Sequence, residues 1–256
     1  LRFKKPASIW EEALPLGNGF LGAMVYGKTD KELIEMNEDS LWTGTQMERF
    51  NPLSRENIGE IRELLKEGKV ENGQRLAERS FFASTPHSRH YHPLGQVWLQ
   101  FDNRKQPENY KRTLDLEQAL LQIRHEADGR IYERESFLSY PDQVFIYQIN
   151  AADDGEVNFD LYLTRRDTRS GKTVSYLESI TCENDCIYLT GYNGNRDSGI
   201  EFTMGASVLS EGGTVRSYGS RLVVEHAKQV TVYVVGRTSY RSENPKFWCE
   251  EQLRRV

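Results

Sequence analysis

The fold class follows from the stretch Ile200-Glu201-Phe202-Thr203-Met204-Gly205-Ala206-Ser207-Val208, in which every second residue is apolar. Successive side chains of a β-strand point to opposite faces, so this period of two predicts a strand with one buried face. The same alternation recurs in residues 97–101, 119–123, 157–163 and 230–234. Turn signals such as Asp128-Gly129 and Gly212-Gly213 lie between such segments. Roughly ten short strands separated by turns predict an all-β, antiparallel sandwich of two large packed sheets.

Two further segments follow the period of a helix. In a two-helix insertion over residues 54–83, apolar residues lie at the spacing of one helix face, namely Ile58, Ile61, Leu64 and Leu65. Ser54 is the predicted N-cap of the first helix and Gly68 its predicted end. Pro245 suits a first helical turn, so a last helix is expected over residues 245–256. We therefore expect a β-domain over residues 1–244, followed over 245–256 by the start of a helical linker to a further domain.

The composition excludes several classes of protein. The 256 residues carry a net charge of -5 with dispersed Lys and Arg, so no nucleic-acid partner is expected. No run of ~18 apolar residues occurs, so no membrane span is expected. The three cysteines are too few for a disulfide framework, and they favour a cytoplasmic over a secreted location. Cys182 and Cys186 flank a turn and could face each other in a hairpin, but two reduced thiols are the favoured interpretation.

A glycine-rich segment near the start of the chain matches a nucleotide-binding pattern. Gly17-Asn18-Gly19-Phe20-Leu21-Gly22 has the form GxGxxG. A dinucleotide site places this pattern between a strand and a helix, whereas here an alternating, strand-like segment follows. The favoured interpretation is a structural turn, with residues 33–37 as the hairpin partner of residues 21–26.

The segment Asn37-Glu38-Asp39-Ser40-Leu41-Trp42-Thr43-Gly44 combines an amide, two adjacent carboxylates and an indole ring. Sugar sites use the same groups, because amides and carboxylates bind hydroxyls and an aromatic ring covers the apolar sugar face. Glu38 and Asp39 cannot be the paired carboxyls of a glycosidase if the segment is extended, since neighbours in a strand point to opposite faces. Packing against a neighbouring domain is the favoured interpretation, and sugar contact is the alternative.

A second polar segment, Thr85-Pro86-His87-Ser88-Arg89-His90-Tyr91-His92-Pro93, holds three of the five histidines. His90 and His92 would share one face of an extended segment, but zinc would need a distant third ligand such as His125. No cysteine cluster or HExxH motif supports a metal, so neither a metal nor a cofactor is expected. The candidate residues for substrate or interdomain contact are Asn37, Glu38, Trp42 and His92.

These segments also occur in an order that resembles a known family. The matching blocks are Trp10–Gly19, Leu21–Gly27, Asn37–Gly44, Asn51-Pro52, Tyr91–Gly95, Tyr110–Leu116 and Tyr132–Phe137. Together they resemble the N-terminal domain of glycoside hydrolase family 95, the inverting α-L-fucosidases that act mainly on α-1,2 linkages. Thr45-Gln46-Met47 and Gln96 depart from the pattern of many relatives.

The resemblance implies an N-terminal β-supersandwich, a helical linker, an α/α toroid that carries catalysis and a C-terminal β-domain. The implied partners are the toroid domain of the same chain and a fucosylated oligosaccharide. The catalytic residues would lie in the toroid, so no catalytic residue is expected within these 256 residues, and the chain alone is expected to be inactive.

Two alternatives remain open at this point. A stand-alone carbohydrate-binding module would need an exposed aromatic platform, for which Trp42 is the candidate. A sugar epimerase of the mutarotase type would need a histidine and a carboxylate that converge in one cleft. The candidates for that pair are His90, His92 or His125 with Glu133 or Glu135.

Overall fold

The computed structural model describes residues 1–43, 50–82, 90–102, 107–152, 155–165, 176–194 and 199–256. The chain divides into two compact units, a larger one of Leu1–Thr43 with Tyr91–Val256 and a smaller one of Gly44–His90. Among the described helices, none is long and apolar enough to cross a membrane.

Nine antiparallel strands of the larger unit form one sheet. In spatial order, with numbers that follow the chain, they are β1 (Arg2–Phe3), β6 (Glu108–Asp115), β7 (Leu120–Ala127), β8 (Arg130–Ser139), β9 (Val144–Ala151), β16 (Gln229–Thr238), β13 (Ile200–Glu211), β12 (Cys186–Asn193) and β11 (Leu177–Glu183). The segment predicted to begin at Ala119 forms β7, but Ala119 itself has φ +53° and belongs to the preceding turn. In the β11–β12 hairpin, Cys182 pairs with Ile187 and not with Cys186, and both cysteines are free thiols.

Seven antiparallel strands form the second sheet. Their spatial order is β14 (Thr214–Tyr218), β15 (Arg221–Ala227), β10 (Val157–Thr164), β5 (Gly95–Phe101), β4 (Lys31–Glu38), β3 (Leu21–Val25) and β2 (Leu14–Gly17), with a short 3-10 turn at Trp10–Glu12 before β2. The GxGxxG segment forms the β2–β3 turn, as expected. Gly19 takes φ +89° there, and the Asn18 side chain accepts hydrogen bonds from the backbone of Phe20 and Leu21 at 3.0 and 2.8 Å.

The hydrophobic core lies between the two sheets and follows the alternation in the sequence. In β10 the buried residues are Val157, Phe159, Leu161 and Leu163, and each residue between them is partly exposed. Apolar residues of both sheets belong to one buried cluster. The predicted fold class, an antiparallel β-sandwich, is confirmed.

One helix covers part of the outer face of the nine-stranded sheet, so the alternation of buried and exposed residues does not hold there. Helix α3 (Pro245–Leu253) begins at Asn244, whose side chain accepts from the backbone N–H of Phe247 at 2.9 Å. Its buried face packs on an apolar group of the sheet made of Val144, Tyr188 and Val235. The Cys249 thiol approaches the Thr203 carbonyl at 3.6 Å. Because α3 covers them, the central residues of β13 are buried on both faces.

The smaller unit contains two helices, α1 (Leu53–Lys66) and α2 (Val70–Phe81), as predicted for the insertion. Gly68 has φ +77° and ends α1. The expected N-cap at Ser54 is wrong by two residues, because Pro52 holds that position and the Ser54 hydroxyl instead donates to the Asn51 carbonyl. The Asn57 side chain donates to the Ser80 hydroxyl at 2.9 Å and joins the two helices.

Candidate functional site

The strand β4 ends in a buried carboxylate. Glu38 is only 1% exposed, and it accepts hydrogen bonds from the backbone N–H and the hydroxyl of Ser40 at 2.8 and 2.6 Å. The Ser40 hydroxyl also contacts the hydroxyl of Thr238, the last residue of β16. This chain of hydrogen bonds joins the two sheets at one end of the sandwich.

A single arginine connects both carboxylates of this segment. Arg241, three residues beyond β16, donates from Nε to Glu38 at 3.2 Å and from its terminal nitrogen to both oxygens of Asp39 at 2.9 and 2.6 Å. The rigid, planar guanidinium thus spans two carboxylates, with Nε on Glu38 and one terminal nitrogen shared between the two oxygens of Asp39. Glu38 and Asp39 therefore share one cation and do not stand across an open gap.

Burial and charge set the protonation of this cluster. Burial raises the pKa of the Glu38 carboxyl, whereas the hydrogen bonds from Ser40 and the charge of Arg241 act in the opposite direction. Burial, reinforced by the two carboxylates, raises the pKa of the nearby Tyr91 hydroxyl to about 12. Tyr91 is therefore a neutral donor at physiological pH, and its hydroxyl donates to the Glu38 carbonyl at 2.9 Å.

An aromatic pair covers the outer side of the cluster. Trp42 and Tyr91 form an isolated β-bridge, and their ring centroids lie 5.1 Å apart. The indole N–H of Trp42 donates to the Asp39 carbonyl at 2.9 Å, which fixes the ring orientation. Trp42 remains 44% exposed and Tyr91 40%. An ordered pair of aromatic rings thus faces outward beside a polar network.

A second aromatic pair lies on the other side of Arg241. Its guanidinium sits 4.8 Å from the centroid of the Phe20 ring, and Phe20 stacks on Tyr140 at 5.9 Å. Tyr140 is well exposed. We refer to the surface formed by Trp42, Tyr91, Phe20 and Tyr140 around Arg241 as the aromatic surface.

All four candidate residues lie at this end of the sandwich, but the side chain of Asn37 is on the other face of β4 from the cluster. Glu38 and Trp42 belong to the cluster, and the backbone N–H of His92 donates to the Leu41 carbonyl at 3.0 Å. The His92 ring meets the edge of Tyr176 at 5.8 Å. Asn37 pairs with Gly22 of β3, and its side chain lies on the opposite face of β4 from Glu38.

The histidine and carboxylate pairs considered for epimerase chemistry are not assembled by the strands. His125 is buried on the core side of β7, whereas Glu133 is exposed on the other face and pairs with Arg124 at 3.4 Å. Glu135 lies on the same outer face as Glu133 and accepts from Gln122 at 2.7 Å. Within the described part of the chain, no group of three or more His, Cys, Asp or Glu is arranged to hold a metal ion.

Sequence analysis missed Arg241 and Thr238, which complete the cluster. Arg241 contacts Glu38 across 203 positions of sequence, and no local motif marks it. Tyr91 was part of a recognised block, but its partnership with Trp42 depends on a bridge between distant segments. The order of the strands in the sandwich brings these residues together, and that order was not predicted from the sequence.

Comparison with known proteins agrees with this architecture. The family model described as "Glycosyl hydrolase family 65, N-terminal domain" matches residues 1–243. A putative kojibiose phosphorylase from the human microbiome superposes over 99% of this chain and 35% of its own, with a TM-score of 0.60 and 11% identity. At that identity the likeness shows the fold alone.

Curated relatives carry fucosidase names. "Alpha-L-fucosidase 2" of Arabidopsis thaliana is 30% identical over 260 residues, covering 94% of this chain and 30% of the relative. "Probable alpha-fucosidase A" of Aspergillus niger is 27% identical over 273 residues, covering 95% of this chain and 32% of the relative. The chain thus spans about a third of these relatives. The resemblance to the N-terminal domain of fucosidases is confirmed, and the chain belongs to the family of glycosyl hydrolase family 65 N-terminal domains.

Proposed function

We propose that this chain is the accessory N-terminal domain of a glycoside hydrolase that removes terminal α-L-fucosyl residues, with α-1,2 linkages as the expected substrate. Its role is to support a catalytic α/α toroid of the same protein and to form one wall of its active site. The names of the relatives support the reaction class. The aromatic surface is the observation that carries the proposed role.

The cluster that Glu38 and Asp39 form with Arg241 at the end of β4 has a structural role and is not a catalytic pair. Glycoside hydrolysis needs one carboxyl that donates a proton and a second about 5–9.5 Å away that acts on the sugar or on water. Glu38 is buried, and both it and Asp39 are bound by Arg241. Glu38 has no exposed face from which to protonate a glycosidic oxygen, and Asp39, although exposed, shares the Arg241 cation with Glu38 and does not face a second carboxyl across a gap. We therefore expect the catalytic residues in another domain.

The aromatic surface has the composition of a domain interface or the wall of a sugar site. Tyr, Trp, Phe and Arg are enriched in interface cores, and a fixed ring loses little conformational entropy on docking. Trp42 is held by its hydrogen bond to Asp39 and by contact with Tyr91, so it is preorganised. We also propose that α3 begins the linker to the toroid, which places the start of that linker close to Arg241 in sequence.

Fucose release tests the proposal. The 256-residue chain and a longer protein that contains it are incubated with 2′-fucosyllactose, and free fucose is quantified. We expect release by the longer protein only. Turnover by the short chain would overturn the accessory role, and a longer protein without activity on any fucosyl linkage would overturn the reaction class.

A substitution in the longer protein tests the aromatic surface. Trp42→Ala should lower kcat/KM at least tenfold if Trp42 packs on the catalytic domain or on sugar. The matched control is Tyr218→Ala, which removes an aromatic ring that is 76% exposed on the edge strand β14. Equal activity of the two variants would contradict a role for the aromatic surface.

A stand-alone carbohydrate-binding module is the second candidate, because Trp42 and Tyr91 are exposed rings next to polar groups. It predicts that the 256-residue chain binds fucosylated glycans by itself and loses binding with Trp42→Ala. Absence of binding by the isolated chain would exclude this candidate and leave the accessory role intact.

A further inference from the structure

The two helices of the smaller unit meet along a narrow line. The buried residues are Ile61 in α1 and Gly73 and Ser80 in α2. Leu65 lies against Gly73, and the Asn57 side chain donates to the Ser80 hydroxyl, so the helices are antiparallel. The stability of a helix in a protein comes mostly from the packing of its apolar face. Apolar surface on either side of this line is therefore left for another partner to cover.

One side of the helix pair is apolar along its whole length. Successive residues of an α-helix are rotated by about 100°, which places Ile58 and Leu65 on one side of the contact line. The same rotation places Val70, Ala77 and Phe81 on that side of the antiparallel partner, because both helices are right-handed. Ile58, Leu65, Val70 and Phe81 are 41%, 49%, 57% and 51% exposed. We call the surface formed by these five residues the hairpin face.

Charged residues border the hairpin face, positive along one edge and negative along the other. Arg62 and Lys66 lie on its outer edge in α1, and Glu71 and Glu78 lie on its outer edge in α2. Lys66 and Glu71 each form an ion pair within their own helix, and both pairs are exposed to solvent. Exposed pairs of this kind contribute little free energy, so both residues are able to pair across an interface instead.

The order of these residues makes the hairpin face complementary to itself. When two copies stack about a two-fold axis parallel to the helices, α1 of one copy lies on α2 of the other. This symmetry keeps the register of the helix pair, so Lys66 comes within one helical turn of Glu71 of the second copy, and Arg62 comes as close to Glu78. A two-fold axis across the helices would instead stack α1 on α1 and bring the positive edges together. Charge therefore favours the first arrangement.

We propose that the hairpin face is a self-association surface, through which two copies of this chain form an antiparallel four-helix bundle. The apolar side chains of both copies fill the centre, which is the arrangement that stabilises four-helix bundles. The contact is small for a protein interface, so we expect a dissociation constant of roughly 10–100 µM. The proposal does not rest on the fucosidase assignment, since it concerns only the residues of α1 and α2.

Sedimentation velocity of the 256-residue chain tests the proposal, over two decades of concentration around that value. We expect a shift from monomer to dimer. Val70→Asp should raise the dissociation constant at least tenfold, because it places a charge on the hairpin face. The matched control is Leu53→Asp, which changes the first residue of the other helix on the opposite side of the pair. Asp at the first position of a helix favours folding in both variants.

A monomer at every concentration would overturn the proposal. Equal effects of Val70→Asp and Leu53→Asp, with helix content unchanged by circular dichroism, would place the contact elsewhere and also overturn it.

A charge exchange tests the arrangement of the two copies. Arg62→Glu should raise the dissociation constant at least threefold, and Glu78→Arg in the same chain should restore it. These two residues lie on outer edges of different helices and face each other only across the two-fold axis. Failure of the second substitution to restore the dimer would overturn the proposed arrangement.

The same sedimentation measurement on a longer protein that contains this chain should also give a dimer that Val70→Asp weakens. A monomeric longer protein would show that another part of the polypeptide covers the hairpin face, and would overturn the proposal.

Discussion

Substitution of Arg241 by Met should destabilise the larger unit by about 3 kcal/mol, a value that follows from its three contacts. The buried Glu38 carboxylate loses one charged donor, a loss of about 1–3 kcal/mol for a group that stays desolvated. The contact with Phe20 adds about 0.5–1 kcal/mol. The pair with Asp39 adds little, because Asp39 is exposed to solvent that screens it.

The assay is urea unfolding followed by tryptophan fluorescence, with the midpoint and the slope fitted for each variant. A loss of this size corresponds to a fall in Tm of about 6–12 °C for a protein of this length. Glu38→Gln and the double variant complete a double-mutant cycle, in which the coupling energy should exceed about 1 kcal/mol. Arg216→Met is the control, since its pair with Glu225 is exposed and should contribute less than about 1 kcal/mol.

The effect should also depend on pH in a defined direction. Burial already raises the pKa of Glu38 in the folded protein, so this carboxyl favours the folded state at low pH and loses that contribution as the pH rises. Removal of Arg241 raises the pKa further. The difference in stability between wild type and variant should therefore be largest at neutral pH and shrink as the pH falls toward 4.5, the ordinary carboxyl value. A loss below about 1 kcal/mol at neutral pH, or a coupling near zero, would refute this reasoning.

Three further outcomes are expected. Arg134→Met should lower the free energy of unfolding by about 3–5 kcal/mol in urea unfolding, because it leaves the fully buried Glu32 carboxylate without the cation that lies 3.5 Å away. A smaller loss of stability would show that Glu32 is protonated in the folded protein. In an NMR pH titration, His125 should stay neutral from pH 5 to 8, because burial lowers its pKa to about 3. Pairing with Glu156 raises the pKa of His226 above 6.5, so His226 should become protonated at a higher pH than His125. Protonation of His125 at the higher pH would contradict the structure. Cys249 should resist a thiol reagent in the native protein, since it lies on the buried face of α3 and burial raises its pKa, and rapid modification would show that α3 detaches.

Local pattern was enough to predict the class of fold. The period of two identified β10 and β13, and helical spacing identified α1 and α2, because each depends on which face of one element is buried. Ala119 and Ser54 were misplaced because residues at the ends of elements adopt conformations set by turn geometry. The burial of both faces of β13 was not visible, since it depends on where α3 docks.

The candidate site was predicted only in part, and for a physical reason. Glu38 and Trp42 lie in one short segment with a distinctive composition, so they could be selected from the sequence. Arg241 is an isolated arginine in a polar stretch. It reaches Glu38 because the strand order of the two sheets brings the end of β16 close to the end of β4. Long-range pairing of this kind has no signature in a single sequence.

The tie between Glu38 and Arg241 has a mechanical consequence. Arg241 lies in the short connection from β16 to α3, and it donates hydrogen bonds to Glu38 and Asp39 in the segment that leads to Trp42. A swing of α3 away from the sandwich would pull on this connection and transmit the displacement to the indole ring. The direction in which the chain enters α3 and the orientation of the aromatic surface are therefore coupled through Arg241. A change in the tilt of α3 would be accompanied by a change in the orientation of the Trp42 ring.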